Sequence, residues 1–524
     1  MAASQPFAEK PPHSPFHSSP TMLLLQDHFP ADILLLISAH LGPQDKKNLC
    51  LVSRYFHFVF TPITLRNVRV LFCEEHTTVT SSNERLWTCL RKLPNLYQHA
   101  QSLRVRINGN YLREHDTRDL LPALSKTLAC LTSLKSLDVH LECGNTPERI
   151  ELIVEYQAQI IKSTLRATGD RLECLVVTAG PVLDPRIFPT SLSQIRGLKT
   201  LRIDQGQPRL DLGRVRDGNP CDCDRSWVNE TLKPLISANP GLETLEIVKP
   251  CRKCGLEAND ILSASLSNLR LLTISALENS SVSIHRAGLC NLRHLTIQAT
   301  YGRFDVDAFW KALAATQTPL ETLVSHHVSL SMLDYLASFS GLRSLSILEI
   351  MSIRECHSPE VLSTFTEHVL PSHAQTLERL VIGYQDGVGT LSGWDFDPSV
   401  WAPALKQLSA LEYLAIYPHI DPPLPTIFDP MRVTPHVITA YQTLLDFART
   451  LPSLKTLGIC HLQSLEGEVD YLLHKKVVPE LMTRSRNPKV WAYDTGRTNF
   501  ALYIKGRGWA YAYQHNPWVV SGSP

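Results

Sequence analysis

A hexad of the form Leu-x-x-Leu-x-Ile/Val returns along most of this chain, and it restricts the fold more than any other feature. It reads Leu134-Leu137-Val139, Leu172-Leu175-Val177, Leu198-Leu201-Ile203, Leu242-Leu245-Ile247, Leu269-Leu272-Ile274 and Leu292-Leu295-Ile297. It continues as Leu342-Leu345-Ile347, Leu377-Leu380-Ile382, Leu411-Leu414-Ile416 and Leu454-Leu457-Ile459. A weaker copy sits at Leu320-Leu323-Ser325, and Leu103, Val105 and Ile107 form an irregular first unit. Residues two apart on a strand share a face, so the fourth and sixth positions predict a short strand with an inward aliphatic pair. Helical apolar spacing precedes the hexads, as in Leu121, Leu124, Leu128 and Leu131 or Leu444, Phe447, Ala448 and Leu451. A single helix–strand unit cannot cover its own apolar face, so the units must stack.

The expected class is therefore α/β, a helix/strand solenoid over residues 71–460 that resembles the leucine-rich repeats. Successive hexads start between 22 residues apart (Leu320 to Leu342) and 44 apart (Leu198 to Leu242), and the family's Asn/Cys after the strand is not maintained, so the array is irregular. The competing expectation is a set of unrelated strands in a conventional α/β domain. If positions four and six point inward, positions three, five and seven form an open strand face. That face reads Ser136, Asp138, His140, then Cys174, Val176, Thr178, then Thr200, Arg202, Asp204, and later Arg379, Val381, Tyr413 and Ala415. Lys and Arg do not stack in register there as a phosphate-tracking surface requires. With 51 Lys and Arg against 50 Asp and Glu the net charge is +1, so no global field draws nucleic acid or anionic lipid. The expected ligand is a protein.

Ahead of the array lies a short apolar stretch, residues 29–66. Pro30 stands at a helix start with Asp32 in the first turn, and Ile33, Leu36, Ile37 and Leu41 follow at helical spacing. Gly42-Pro43 ends that helix, through a left-handed glycine cap, and a second helical run opens at Gln44-Asp45. Leu49, Val52, Phe56, Val59 and Phe60 line one side of that run; Leu51, Tyr55 and Phe58 line another. About 40 residues cannot bury so much apolar surface alone, so one face should pack inside and another should meet a partner. A wholly buried helical hairpin is the alternative.

The positions Phe29-Pro30, Asp32-Ile33-Leu34, Leu41, Asp45, Leu49, Val52-Ser53-Arg54, Phe56 and Pro62 with Leu65 resemble the F-box, with Phe29 in place of the usual Leu. The resemblance implies a segment, residues 23–70, that docks on a Skp-type adaptor and through it on a cullin-based ubiquitin ligase. By the same resemblance Phe29, Pro30, Ile33, Leu34, Leu49, Val52 and Phe56 contact the adaptor or support that contact. An F-box followed by irregular leucine-rich repeats is similar to proteins common in filamentous fungi.

Residues 1–22 are rich in Pro, Ser and His and read as a flexible lead, and no stretch is long and apolar enough for a signal peptide or membrane span. A cytoplasmic or nuclear location is expected, where 13 scattered cysteines stay reduced. Three long insertions, 204–230, 383–404 and 417–440, each begin at a strand end and would emerge on one rim, as recognition loops or as neutral surface. Cys221 and Cys223 follow one strand and Cys251 and Cys254 the next, so adjacent loops could gather four thiols. That set fits a structural zinc; a disulfide and plain reduced thiols are the alternatives. Residues 461–524 change character, and Lys489–Tyr513 reads as a strand pair with Gly-Arg turns, either an aromatic cap on the solenoid or a substrate-contacting element. No phosphate loop, nucleophile elbow, metalloprotease helix or dinucleotide fingerprint is present, so a non-enzyme is expected. The two function classes are a substrate-recognition subunit of a ubiquitin ligase and a non-degradative repeat scaffold or ligand-binding protein.

Overall fold

A computed structural model describes residues 31–72, 99–108, 126, 128–142, 147–168, 171–179, 190–205, 232–248, 256–257, 266–275, 277–278, 289–298, 307–326, 328–347, 359–382, 394, 396–416, 439–440, 442–444, 446–459, 489–490, 500–505 and 508–513. Three helices come first: α1 (Ala31–His40), α2 (Pro43–Val52) and α3 (Arg54–Thr64). The strands that follow are β1 (Asn67–Phe72), β2 (Ser102–Asn108), β3 (Ser136–Glu142), β4 (Cys174–Ala179), β5 (Thr200–Gln205) and β6 (Thr244–Val248). Next come β7 (Leu256–Glu257), β8 (Leu271–Ser275), β9 (Leu277–Glu278), β10 (His294–Gln298), β11 (Thr322–Ser325), β12 (Ser344–Ile347), β13 (Arg379–Ile382), β14 (Tyr413–Ala415) and β15 (Thr456–Ile459). All but β7 and β9, which pair with each other, form one parallel sheet in chain order. The last strands, β16 (Lys489–Val490), β17 (Phe500–Lys505) and β18 (Gly508–Tyr513), extend it: β17 pairs antiparallel with β15 and with β18, and β16 runs beside β18.

The hexads dictate this order. Their fourth-position leucines lie opposite one another strand after strand, Leu103, Leu137, Leu175, Leu201, Leu245, Leu272, Leu295, Leu323, Leu345, Leu380, Leu414 and Leu457, and all are buried. First- and sixth-position side chains fill the same core. At about 2 kcal/mol per buried aliphatic side chain, each unit depends on its neighbours for most of its stabilisation. The backbone locks the register. From Arg66 to Glu412 every second-position carbonyl accepts two hydrogen bonds, at 2.8–3.1 Å, from the second- and third-position N–H groups of the next unit.

Three features depart from the sequence expectation. The parallel sheet begins earlier: Leu65-x-x-Val68-x-Val70 is a hexad without its central leucine, Val68 lies opposite Leu103, and Leu65 and Val68 pack on the solenoid core. Only Leu65 and Arg66 separate α3 from β1, so the helical segment runs directly into the sheet. The second helical run is also broken. Ser53 is extended (φ −151°, ψ 161°) and its Oγ accepts from Phe56 N–H at 3.1 Å, so it caps α3. Gly42 is likewise extended (φ −65°, ψ 160°) and precedes Pro43 as the N-cap of α2, rather than serving as a left-handed cap for α1.

Polar side chains stitch one unit to the turn of the unit before. In many units a residue three before the hexad accepts from the first-position N–H, as Leu131 does from Leu134 and Leu289 from Leu292. Asn239 intervenes in the turn of the preceding unit. Its Oδ1 accepts from Leu198 N–H at 2.9 Å, and its Nδ2 donates to the carbonyls of Ile195 (2.9 Å) and Leu235 (2.7 Å). Helix α4 (Asp307–Thr316) and helix α5 (Leu330–Ala337) are joined by Trp310 stacked on Tyr335, whose hydroxyl donates to Thr318 O at 2.6 Å. Burial pushes that phenol's pKa up. Helix α6 (Pro359–Thr364) passes through a π-turn (Phe365–Val369) to α7 (Leu370–Ser372), next to buried His373. His373 Nε2–H donates to Leu336 O at 3.0 Å, which leaves Nδ1 bare to accept from Leu342 N–H at 3.4 Å. Burial lowers the His373 pKa from 6.5 to about 4, since a charged ring there would be desolvated and would lose the Leu342 bond.

Asn239→Ala leaves two backbone groups of the preceding unit to find new partners and should cost about 2 kcal/mol. The urea midpoint should fall; an unchanged midpoint would show the bridge to be dispensable. For His373 the folded pKa lies below the unfolded one, so its contribution is complete above about pH 6.5 and is lost as pH falls toward 4, roughly 3 kcal/mol in all. His373→Gln should flatten the dependence of the urea midpoint on pH in that window, and equal slopes for both proteins would contradict the assignment.

Candidate protein-interaction surfaces

Helices α1 to α3 pack around a small core of their own, Leu34, Val59 and Phe60, with Leu41, Leu49, Cys50, Tyr55, Phe56 and Ile63 half-buried against it. Phe56 packs edge-tilted on Phe60 with ring centroids 6.0 Å apart. That core is too small to absorb the apolar side chains the segment carries. Among the described residues nine large apolar side chains are exposed, and seven of them lie here: Ile33, Leu35, Leu36, Ile37, Leu51, Val52 and Phe58. Leu51 is 85% exposed and Phe58 78%, values at which an isolated domain gains nothing from an aliphatic or aromatic residue. Concentration of such residues on one short three-helix segment is the mark of an interaction surface.

The residues singled out by the F-box resemblance divide between these two environments. Leu34, Leu49 and Phe56 belong to the core or pack on it, whereas Ile33 and Val52 face out. Val52 is turned outward because the chain breaks at Ser53, which rotates it off the stripe formed by Phe56, Val59 and Phe60. Phe29 and Pro30 lie outside the described residues. The outward residues that the F-box resemblance does not single out are Leu35, Leu36, Ile37, Leu51 and Phe58. Leu51 and Phe58 are marked in the sequence by the second apolar stripe, on a segment too short to bury both.

The second surface is the open face of the sheet. Alternation holds on β2 to β6, where third- and fifth-position side chains such as Asp138, Val176, Arg202 and Glu246 are half-buried between exposure and core. Toward the other end it fails: Val381 and Ala415, expected to be exposed, are buried and pack with Val324 and Tyr413 in a small cluster of their own. Arg379 lies 3.8 Å above the Tyr413 ring beside that cluster. Small and aliphatic side chains at the fifth positions of β11 to β14 are what allow this close packing.

The strand starts carry a charged ladder. Second-position residues run Lys135, Glu173, Lys199, with Glu173 bonded to Lys135 at 3.1 Å and to Lys199 at 2.9 Å. The two ammonium groups, Lys199 first, lower the Glu173 pKa, and Glu173 raises that of Lys199. Further pairs join Arg293 to Glu321, Arg343 to Glu378 and Lys455 to Glu412. These exposed pairs contribute little each, and they favour the register already set by the backbone. Cys174, on the open face, has its thiol pKa raised by burial, which makes it a poor nucleophile.

Cys221, Cys223, Cys251 and Cys254 lie outside the described residues, as do most of insertions 204–230 and 417–440. The end of insertion 383–404 is not a rim loop: Pro398–Leu405 is a helix, and Trp394, Phe396 and Trp401 are buried in the solenoid core. Among the described residues no group of three or more His, Cys, Asp or Glu side chains is placed to hold a metal, and no helix is long and apolar enough to cross a membrane.

No family model matches the chain, and no curated protein matches it. Solved structures do. The chain is similar to the structure of the Toll–Spatzle complex of Drosophila, at 12% identity and TM-score 0.34, over 76% of this chain and 44% of that one. It is also similar to the structure of the Rad7 and Elc1 complex in yeast, at 12% identity and TM-score 0.33, over 79% of this chain and 99% of that one.

Proposed function

We propose that the chain is a non-catalytic substrate receptor of a Skp-cullin-F-box type ubiquitin ligase, acting in the cytoplasm or nucleus. The helical segment α1 to α3 docks a Skp-type adaptor, and the repeat sheet holds the protein to be modified. The observation that carries this reading is the gathering of exposed apolar side chains on α1 to α3, where Leu51 and Phe58 stand almost free of the chain's own core. The motif residues supply the scaffold for that surface: Leu34, Leu49 and Phe56 hold the helices together while Ile33 and Val52 extend the outward face. The mechanism is geometric. Holding a target beside the ligase raises its local concentration there, and other subunits carry out ubiquitin transfer. The four cysteines from Cys221 to Cys254 fit a structural zinc that would pin the insertion after β5. The C-terminal strands β16 to β18 serve as the cap of the solenoid, because β17 and β18 continue the sheet antiparallel past β15 and cover the edge of the last repeat strand.

Co-expression of the full chain with a Skp-type adaptor should give one peak of equal stoichiometry in size-exclusion chromatography. A folded chain that elutes alone would overturn the receptor reading. Leu51→Ser with Phe58→Ser should weaken adaptor binding at least 30-fold, about 2 kcal/mol, without lowering the urea midpoint. Unchanged affinity would place docking elsewhere. Metal analysis of the same peak should find one zinc per chain, and a metal-free peak would leave the cysteines as plain thiols.

A further inference from the structure

The fifth hexad positions of β2 to β6 form one register row across the open face: Arg104, Asp138, Val176, Arg202 and Glu246. Arg104 Nε donates to Asp138 on the neighbouring strand. Arg202 reaches Glu246 Oε2 at 3.4 Å and Asp204 Oδ2 at 3.3 Å. Three carboxylates face two guanidinium groups, but the two signs are not equally presented. The Arg104 and Arg202 side chains are 54% and 43% exposed, whereas Asp138, Asp204 and Glu246 are only 19%, 23% and 22% exposed. The carboxylates lie low and orient the guanidinium groups standing above them. An approaching molecule therefore meets planar, pre-positioned donors suited to carboxylate.

Spacing adds specificity. Three strand steps of about 4.8 Å separate Arg104 from Arg202, roughly 14 Å, and an extended chain covers that distance in about four residues at ~3.4 Å each. Side chains i, i+2 and i+4 of such a segment point to one side. The middle one would meet the stretch between the arginines, where Asp138 repels a third carboxylate and half-buried Val176 offers an apolar contact. We propose that this row binds a partner-protein segment with two carboxylate side chains four residues apart and an uncharged apolar residue midway, extended across the strands. The inference deepens the receptor reading and rests on its claim that the open face holds a protein.

The test is selection of a random peptide library displayed on phage against the full chain, followed by anisotropy with a labelled Glu-Ala-Leu-Ala-Glu peptide. Acidic pairs at i and i+4 should be enriched. Arg104→Glu with Arg202→Glu should weaken the Glu peptide at least tenfold and should bind the Lys-Ala-Leu-Ala-Lys peptide better than the wild type does. Absence of acidic-pair enrichment, equal binding of the Glu peptide to both proteins, or binding only when phosphoserine replaces Glu would each overturn the proposal. Adaptor co-elution of the charge-reversed chain, expected to be intact, shows that the variant is folded and reads the receptor claim separately. A wild-type chain that binds adaptor but enriches no acidic pair would sink this inference alone.

Discussion

A carbonyl that accepts two N–H groups from the following unit, repeated from Arg66 to Glu412, is the constraint on which the rest of this structure depends. It fixes the point at which every strand starts. With the start fixed, the leucine at the fourth position has one neighbour on each side at the same depth, and the first- and sixth-position side chains close the core around it. Spacing between hexads can then vary widely, because the connections leave and return at points already set. Loop-closure entropy grows slowly with length, so long insertions are tolerated.

The same constraint links the two candidate surfaces. The first hexad begins at Leu65, directly after α3, its strand at Asn67, and Leu65 and Val68 sit on the solenoid core. The helical segment is thus continuous with the first unit. Polar stitches such as Asn239 and His373 reinforce the array by giving backbone groups of one unit a partner in the next, and burial keeps the His373 ring neutral, as those bonds require. On the receptor reading proposed above, that continuity would hold a bound target and a docked adaptor in a defined relation.

Much of this is legible in the amino-acid sequence. The hexads were visible because parallel strands covered on the core side keep large aliphatic residues at fixed positions, and even Leu320-Leu323-Ser325 forms its strand in register. Other features leave no such mark in the sequence, for physical reasons. The unit at Leu65 has Val68 where the others have leucine, and it follows directly on a helical motif. Asn239 and His373 bond backbone groups of other units, and no side-chain pattern records such partners. Ser53 interrupts a continuous apolar stripe with a cap, a signal carried by one residue. The burial of Val381 and Ala415 depends on the size of their cross-strand neighbours and on packing above the sheet, which alternation alone does not encode.

Hydrogen exchange of the intact chain, read by mass spectrometry at peptide resolution, tests the central claim most directly. Continuity of helices and sheet predicts slow exchange at Asn67–Phe72 comparable with that at Ser102–Asn108 and Ser136–Glu142, with residues 54–64 protected to a similar degree. Rapid exchange across Asn67–Phe72 beside a protected Ser136–Glu142 would contradict it, and would make the helical segment a separately tethered unit.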